Sequence, residues 1–297
     1  MLKFQVICIL LVCLTSFSIG VASEEKTASV FSTALPFAEL SNAIYEEKSI
    51  FSDVSKLQKL TLNEVNNVSG VEVSYALLTN LEEKQHIVVV RGTANVENAI
   101  VDMNIRLIDD EQTGIRLHQG FLEASIPIFQ KLKNTLNKEY EIITTGHSLG
   151  GAVAVILAMQ LHSDNFKVSN VVTFGQPKVT NIEGATKFKD LSVVRIVQPK
   201  DLVPIVPPMD PLDIQNLDIY WHFGKEYILM ENNEYAELEG VSSMLRSVDF
   251  ITTVPNQENL ENHKMTEYLA LLKNNSLQAI KVEYKSSFNI KNLFGAN

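Results

Sequence analysis

The stretch TTGHSLGGA, residues 144–152, holds Ser148 between two glycines. Before it lies the short apolar run EIITTG (141–146), and after it lies LGGAVAVILAMQLHS (149–163), which is apolar nearly all round. The first run predicts a strand, and the second predicts a helix buried between a sheet and another layer. A serine at so sharp a strand-to-helix turn has the context of a nucleophile elbow, where Gly146 and Gly150 lack the Cβ atoms that would collide. We therefore predict a catalytic nucleophile rather than a serine in an ordinary glycine-rich bend.

The rest of the chain alternates in the same way between strand-like and helical patterns. Helical spacing of apolar residues is clear in 120–138, where they recur every three or four positions. Such alternation predicts an α/β fold with a mostly parallel central sheet and helices on both faces. Further strand-like runs lie at 71–79, 86–92, 170–175 and 192–197.

Composition limits the classes of function. The chain has 297 residues, of which 45% are hydrophobic, and no repeat or low-complexity run divides it. We predict one catalytic domain over residues 24–297. The formal net charge is −10, and no basic stripe is interleaved with aromatic residues, so nucleic acid is not an expected partner.

The first residues, MLKFQVICILLVCLTSFSIGVASEEK, contain one lysine, a long apolar run and then small residues. This pattern predicts a secretory signal peptide over 1–23, cleaved after Ala22 or Ser23; the alternative is an uncleaved anchor. Cleavage would leave no stable membrane span and a secreted protein, in the extracellular space, the periplasm or a secretory compartment. Both cysteines, Cys8 and Cys13, lie in this segment, so we expect no disulfide in the mature chain.

A serine nucleophile needs a base, and the base needs an acid that orients it. In proteins with a nucleophile elbow, the acid and then the histidine follow the serine along the chain. Asp201 lies in a polar turn just after a predicted strand, where active residues of open α/β sheets gather. Weaker candidates for the acid are Asp210, Asp213 and Asp218 in the following proline-rich loop.

Three histidines follow the serine. His162 lies on the helix that the serine begins, and His222 leads into a strand-like run, where we expect it to be buried. His263 lies between a polar loop and a predicted helix, a junction that can bring an imidazole to the top of the sheet. We therefore predict His263 as the general base, with His222 as the alternative.

The oxyanion of an acyl-transfer intermediate needs two donors. One is expected to be the backbone N–H of Leu149, the residue after the nucleophile, and the other to come from the loop after an earlier strand. Thr93 follows the strand-like run 86–92, so its backbone N–H is the second candidate, with its hydroxyl as a further donor.

Together these motifs resemble the class 3 lipases, the family that includes fungal triacylglycerol lipases, over about residues 33–273. The resemblance implies an α/β-hydrolase fold, the triad of Ser148, Asp201 and His263, and an oxyanion hole formed by Thr93 and Leu149. It implies a structural place for His222, and places that support the site for His118, Gly175, Gln176 and Pro177. The matching elements are VVVRGT (88–93), HQGFLEA (118–124), TTGHSLGGA (144–152), TFGQPKV (173–179), VVRIVQPKDLVPIVPP (193–208), WHFGKEYIL (221–229) and HKMTEYL (263–269).

The chain departs from the fungal pattern in two respects. Where fungal members often have Asn-Trp-Ile in the helix that covers the site, this sequence has Asn98-Ala99-Ile100. The disulfides of the secreted fungal members are absent as well. Both differences concern the lid and the choice of substrate, not the chemistry.

These inferences predict a secreted carboxylic-ester hydrolase that acts on acylglycerols at a lipid–water interface, without metal or cofactor. The alternatives are a phospholipase A1 or a feruloyl-type esterase with the same triad, and, in another class, a non-catalytic scaffold. Apolar walls favour an acyl chain over an aromatic acid. The predicted walls are Val96, Ile100, Ile205, Val206, Met209 and Leu212.

Overall fold

A computed structural model describes residues 19–68, 73–93, 105–207, 218–246 and 256–285, with side chains from Val30 onwards. Along the first half of the chain lie α1 (Ile19–Ala43), α2 (Lys48–Leu57), β1 (Thr61–Asn67), β2 (Ser74–Asn80), β3 (Gln85–Arg91), β4 (Leu107–Asp110), β5 (Ile115–His118), α3 (Gln119–Leu132) and β6 (Glu141–His147). Then follow α4 (Leu149–Ser163), β7 (Lys167–Phe174), β8 (Thr180–Asn181), α5 (Ile182–Lys187), β9 (Val193–Val197), a 3₁₀ turn (Val203–Ile205), β10 (Tyr220–Trp221) and β11 (Lys225–Leu229). The last described elements are a 3₁₀ turn (Glu231–Asn233), β12 (Glu234–Leu238), α6 (Val241–Leu245), α7 (Gln257–Asn262), α8 (Met265–Leu277) and β13 (Ile280–Lys281).

Nine of these strands form one sheet, in the order β1-β2-β3-β6-β7-β9-β11-β12-β13. The five central strands, from β3 to β11, are parallel to one another, and β1, β2 and β12 are antiparallel to their neighbours on the central side. A second sheet has the order β10-β8-β5-β4. The predicted α/β fold with a mostly parallel central sheet is therefore confirmed.

Helices cover both faces of the central sheet. Along β3, alternate side chains pack against the helices on one face and on the other. Val88 and Val90 belong to the apolar cluster that contains α3 and α4. Ile87 and Val89 belong to the cluster on the other face, which contains α1 and α8. Because successive side chains of a strand point to opposite faces, one apolar strand packs against two helical layers.

The helix predicted over 120–138 ends earlier, at Leu132. Just beyond it, the side chains of Asn134 and Thr135 donate hydrogen bonds to the carbonyl oxygens of Gln130 and Lys131. Such side-chain bonds compete with continuation of the helix.

At the N-terminal end, α1 begins at Ile19, before the predicted cleavage point after Ala22 or Ser23. The signal peptide over 1–23 and the domain boundary at 24 stay predictions. Within the described ranges, no helix combines the length and the apolar character needed to cross a membrane.

Candidate active site

Ser148 lies at the turn between β6 and α4, where the sequence predicted it. Its side chain is buried, and its backbone has φ 59° and ψ −133°, a conformation that residues with a Cβ rarely adopt. The turn is held by the N–H of Ser148, which donates to the carbonyl oxygen of Phe174 at the end of β7 (2.9 Å). The serine therefore has the strained backbone expected of a nucleophile elbow.

Three glycines make this turn possible. A Cβ on Gly146 would lie 2.6 Å from the backbone of Gly150, and a Cβ on Gly150 would lie 2.3 Å from the carbonyl oxygen of Val90. A Cβ on Gly92 would lie 2.9 Å from the carbonyl oxygen of His147. The end of β3 therefore approaches the start of α4 so closely that no side chain fits between them. The sequence pattern indicated the first two glycines but not Gly92.

Asp201 and His263, although 62 residues apart in sequence, lie side by side in the fold. Both side chains are buried, and Nδ1 of His263 is 2.7 Å from Oδ2 of Asp201. The other oxygen of Asp201, Oδ1, accepts a hydrogen bond from the N–H of Val203 (2.9 Å). With its proton on Nδ1, the neutral imidazole presents Nε2 as a base.

Nε2 of His263 is buried and has no hydrogen-bond partner among the described residues. The imidazole lies next to the elbow, because its ring is 4.6 Å from the ring of His147, the residue before the serine. Gly175, which follows Phe174, has φ +57°, and a Cβ there would lie 3.0 Å from the imidazole. A buried basic nitrogen without a partner is free to take a proton from a neighbouring hydroxyl.

Tyr268 is part of this arrangement, and the sequence analysis did not assign it a role. Its hydroxyl donates to Oδ2 of Asp201 (2.6 Å), the same oxygen that His263 contacts. Burial, followed by the Asp201 carboxylate, raises the pKa of Tyr268 well above its usual value, so the hydroxyl stays a donor. One signal pointed to it, since a buried tyrosine on the apolar side of a helix needs a partner for its hydroxyl.

The two predicted oxyanion donors lie on either side of the close approach between β3 and α4. Leu149 is the first residue of α4, where a backbone N–H has no acceptor within the helix. Thr93 is buried and directly follows Gly92. A Cβ added to Gly92 would lie 3.1 Å from the amide nitrogen of Gly150. Their assignment as donors stays a prediction.

His222 has a different environment from His263. It is buried, and its Nε2–H donates to the carbonyl oxygen of Pro204 (2.6 Å). Nζ of Lys178 donates to the carbonyl oxygens of Ile205 and Pro207, each at 2.7 Å. Both side chains thus hold the backbone of the loop that follows the candidate acid, and burial lowers the pKa of His222 well below its usual value.

The remaining predicted residues fall into three groups. Asp218 forms an ion pair with Arg116 at the second sheet. The side chains of Ile205 and Val206 are buried. Outside the described residues lie Val96, Ile100, Met209, Leu212, Asp210 and Asp213.

Two of the supporting positions have clear contacts. Gln176 accepts a hydrogen bond from the hydroxyl of Thr173 (3.0 Å) and donates to the carbonyl oxygen of Pro177 (2.8 Å). His118 precedes α3, and its ring stacks on Phe121 with 4.0 Å between the ring centroids. Gln176 therefore holds the backbone just after β7, and His118 packs at the start of α3.

Residues 87–210 match the family described as lipase (class 3). The chain resembles the class 3 lipase family over these 124 of its 297 residues. It is 34% identical to the secreted mono- and diacylglycerol lipase 1 of Fusarium solani over 156 residues, which are 49% of this chain and 46% of that protein. The aligned part is thus less than half the length of that relative.

Solved structures of lipases share the fold. The lipase from Rhizopus microsporus var. chinensis superimposes with a TM-score of 0.58 and 26% identity, covering 69% of this chain and 76% of that one. The mono- and diacylglycerol lipase from Aspergillus oryzae has a TM-score of 0.64 over 80% of this chain and 94% of that one. At 19% identity, the second likeness concerns the fold alone. The α/β-hydrolase fold implied by the motifs is confirmed.

Tyr268→Phe tests whether the tyrosine hydroxyl matters to the acid. The substitution removes one of the hydrogen bonds to Asp201 and keeps the ring in place, so we expect kcat on a soluble ester to fall about 10- to 100-fold, the equivalent of a lost hydrogen bond to a charged group. Ester hydrolysis is followed by release of p-nitrophenol. An unchanged kcat would show that His263 and the backbone N–H suffice to hold the carboxylate.

Thr93→Ala tests the side chain of the predicted oxyanion donor. The backbone N–H survives, so any loss reports the hydroxyl, and we expect kcat/KM to fall about 10²- to 10³-fold if it contacts the oxyanion. Thr93→Pro removes the N–H as well and is expected to be worse. Equal kcat/KM in the alanine variant and the parent would exclude the hydroxyl from the hole.

His222→Ala is expected to lower the free energy of unfolding and to leave kcat unchanged. The variant loses the donor to the carbonyl oxygen of Pro204 and leaves that buried acceptor unpaired, at a cost of about 1–3 kcal/mol. Urea unfolding measures the loss, and kcat at a temperature where the variant stays folded is the control. A stable but inactive variant would reverse the assignment of the base from His263 to His222.

Proposed function

We propose that this chain is a secreted serine hydrolase that cleaves the ester bonds of acylglycerols through an acyl-enzyme. The observation that carries the proposal is the pairing of Asp201 with His263, whose Nε2 is buried without a partner beside the strained turn at Ser148. A scaffold that only binds has no need of this combination. The match of residues 87–210 to the class 3 lipase family and the names of the relatives support the substrate class.

In the proposed reaction, Oγ of Ser148 attacks the ester carbonyl while Nε2 of His263 takes the hydroxyl proton. Asp201 holds the imidazole and stabilises its cation, and the N–H groups of Thr93 and Leu149 donate to the oxyanion. The alcohol leaves with the proton from His263. Water then attacks the acyl-enzyme while His263 accepts a proton from it, and His263 returns that proton to Oγ of Ser148 as the acid leaves. No step needs a metal or cofactor.

The remaining parts of the proposal concern location and substrate. Residues 1–23 would be the signal peptide and 24–297 the catalytic domain, with action at a lipid–water interface. Phospholipase A1 and feruloyl-type esterase activities use the same triad and are the alternatives within enzymes. The apolar residues predicted to line the acyl site favour an acyl chain.

The test is a comparison of the purified protein on tributyrin, triolein, phosphatidylcholine and methyl ferulate, with Ser148→Ala as the matched control. We expect hydrolysis of the two acylglycerols by the parent and none by the control. A preference for phosphatidylcholine would favour a phospholipase A1, and a preference for methyl ferulate a feruloyl-type esterase. The proposed mechanism would be the same in both cases. No hydrolysis of any of the four would favour the non-catalytic scaffold.

A further inference from the structure

A chain of hydrogen bonds runs beneath the elbow, on the sheet face that α1 and α8 cover. The N–H of Gly92 donates to the hydroxyl oxygen of Tyr45 (3.2 Å). The same hydroxyl lies 3.1 Å from Nδ1 of His147, and Nε2 of His147 lies 2.6 Å from the carbonyl oxygen of His263. Four segments that are far apart in sequence are thus joined by two side chains.

Chemistry fixes the direction of each bond. A carbonyl oxygen only accepts, so the proton of a neutral His147 is on Nε2. Nδ1 is then an acceptor and takes the hydroxyl proton of Tyr45, whose oxygen in turn accepts from Gly92. Each of the three bonds therefore has one defined donor. If the proton of His147 were on Nδ1 instead, Nε2 could not donate to the carbonyl oxygen of His263.

Both side chains keep the charge state that this order needs. Burial, and then the proximity of His263, lower the pKa of His147 well below its usual value. Burial raises the pKa of Tyr45 to about 12. Neutrality of His147 also suits the reaction, because a cation there would lie 4.6 Å from the ring that must itself become a cation.

We propose that Tyr45 and His147 are positioning residues, which hold the oxyanion loop (residues 91–93) and the backbone of His263 in one fixed relation to Ser148. The inference rests on the proposed function. His263 is held at two points, its Nδ1 by Asp201 and its carbonyl oxygen by His147. The N–H of Gly92 is held by Tyr45, which orients the backbone that leads into Thr93.

The expected effect follows from the geometry of catalysis. His147 is buried, with its ring 5.8 Å from that of Tyr45 and 5.9 Å from that of Tyr268 on α8, so we expect KM to change little. A misplacement of about 1 Å at the reacting atoms can lower the rate about 100-fold. Loss of these hydrogen bonds should therefore lower kcat and leave the affinity for substrate unchanged.

Two matched substitutions at His147 separate a hydrogen bond from the mere filling of space. His147→Gln keeps an N–H that can reach the carbonyl oxygen of His263, whereas His147→Met has the same length and no donor. We expect kcat on p-nitrophenyl butyrate to fall about 10- to 100-fold in the methionine variant, with KM within about twofold. The glutamine variant should recover most of the loss. Equal kcat in the two variants would overturn the role of His147.

Tyr45→Phe removes only the hydroxyl, and Tyr75→Phe is its control. The Tyr75 hydroxyl donates to Glu64 at the far edge of the sheet, so its loss should leave kcat unchanged. We expect the Tyr45 variant to lose about 10-fold or more in kcat, and the double variant with His147→Met to lose less than the product of the two single losses, because both belong to one chain of bonds. Independent, multiplying losses would overturn the coupling.

A covalent probe separates failure of this inference from failure of the proposed function. With a p-nitrophenyl alkylphosphonate, Oγ of Ser148 would bond to phosphorus, p-nitrophenolate would leave, and the serine proton would pass to His263. One equivalent released by the parent, at a slower rate in the Tyr45→Phe and His147→Met variants, is the expected result. An equal rate in all three would overturn the positioning role alone. No release by the parent would overturn the proposed function.

Discussion

Replacing Ser148 by alanine is expected to lower kcat by about 10⁶-fold, the size of effect known for serine hydrolases that lose the nucleophile. The fold should survive, because alanine is the smaller residue and the serine side chain caps no helix. Hydrolysis of p-nitrophenyl butyrate measures the loss, and circular dichroism with urea unfolding measures the fold. A variant that keeps more than about a hundredth of the activity would show that another group is the nucleophile.

Ser148→Gly extends this test to the strain at the elbow. Both variants lack the nucleophile, but only glycine adopts φ 59° with ψ −133° without steric cost. A residue held in such a region costs about 1–3 kcal/mol, part of which is offset by the greater freedom of glycine in the unfolded chain. We expect the glycine variant to have a free energy of unfolding about 1 kcal/mol higher than that of the alanine variant. Equal values would show that the strain at the turn is no larger than the entropic offset of about 0.4–1 kcal/mol.

Acid is expected to destabilise the protein steeply below about pH 6.5. Burial lowers the pKa of His118 to about 4 and those of His147 and His222 well below 6.5. In the folded state these imidazoles stay neutral, whereas in the unfolded chain they take up protons as the pH falls through 6.5. Their stability contribution is therefore full above pH 6.5 and is lost as the pH falls towards the folded pKa values.

The magnitude follows from the number of protons. Each histidine that is neutral when folded and protonated when unfolded lowers the free energy of unfolding by about 1.4 kcal/mol per pH unit. Three of them give a slope of about 4 kcal/mol per unit between roughly pH 6 and 4.5. Urea unfolding at several pH values measures the slope. A free energy of unfolding that stays constant between pH 7 and 5 would contradict the prediction.

His118→Asn is the variant that isolates one of the three. Asparagine is a good residue before a helix and does not titrate, so the slope below pH 6.5 should fall by about a third. His162→Gln is the matched control, because His162 is exposed on α4 and its loss should leave the slope unchanged. Equal slopes in the parent and the His118 variant would assign the acid sensitivity to other groups.

The local parts of the site could be read from the sequence. The elbow depends on a strand, a turn and a helix that are contiguous, and α4 has the bounds that its apolar run predicted, Leu149–Ser163. Asp201 was predicted because it lies in a turn after a predicted strand, where a parallel sheet collects its functional side chains. His263 was predicted because it lies between a polar loop and a predicted helix.

Contacts between distant segments could not be read in this way. No role was predicted for Tyr45, which lies in none of the motifs, and His147 was noted only as part of the motif around Ser148. Their bonds to Gly92 and His263 depend on how α1 and α7 dock on the sheet, which no local pattern specifies. The hydroxyl of Tyr268 was missed for the same reason, since the apolar spacing of its helix predicts burial but not a partner.

The packing of α1 against α8 bears on the order in which the protein is made. The two helices share one apolar cluster, and α8 begins only two residues after His263. Synthesis proceeds from the N-terminus, so α1 lacks its contact with α8 until nearly the whole described chain has left the ribosome. Closing so long a loop is entropically costly and slow. His263 consequently reaches its place among the last parts of the molecule, and a nascent chain cannot turn over substrate before its synthesis is almost complete.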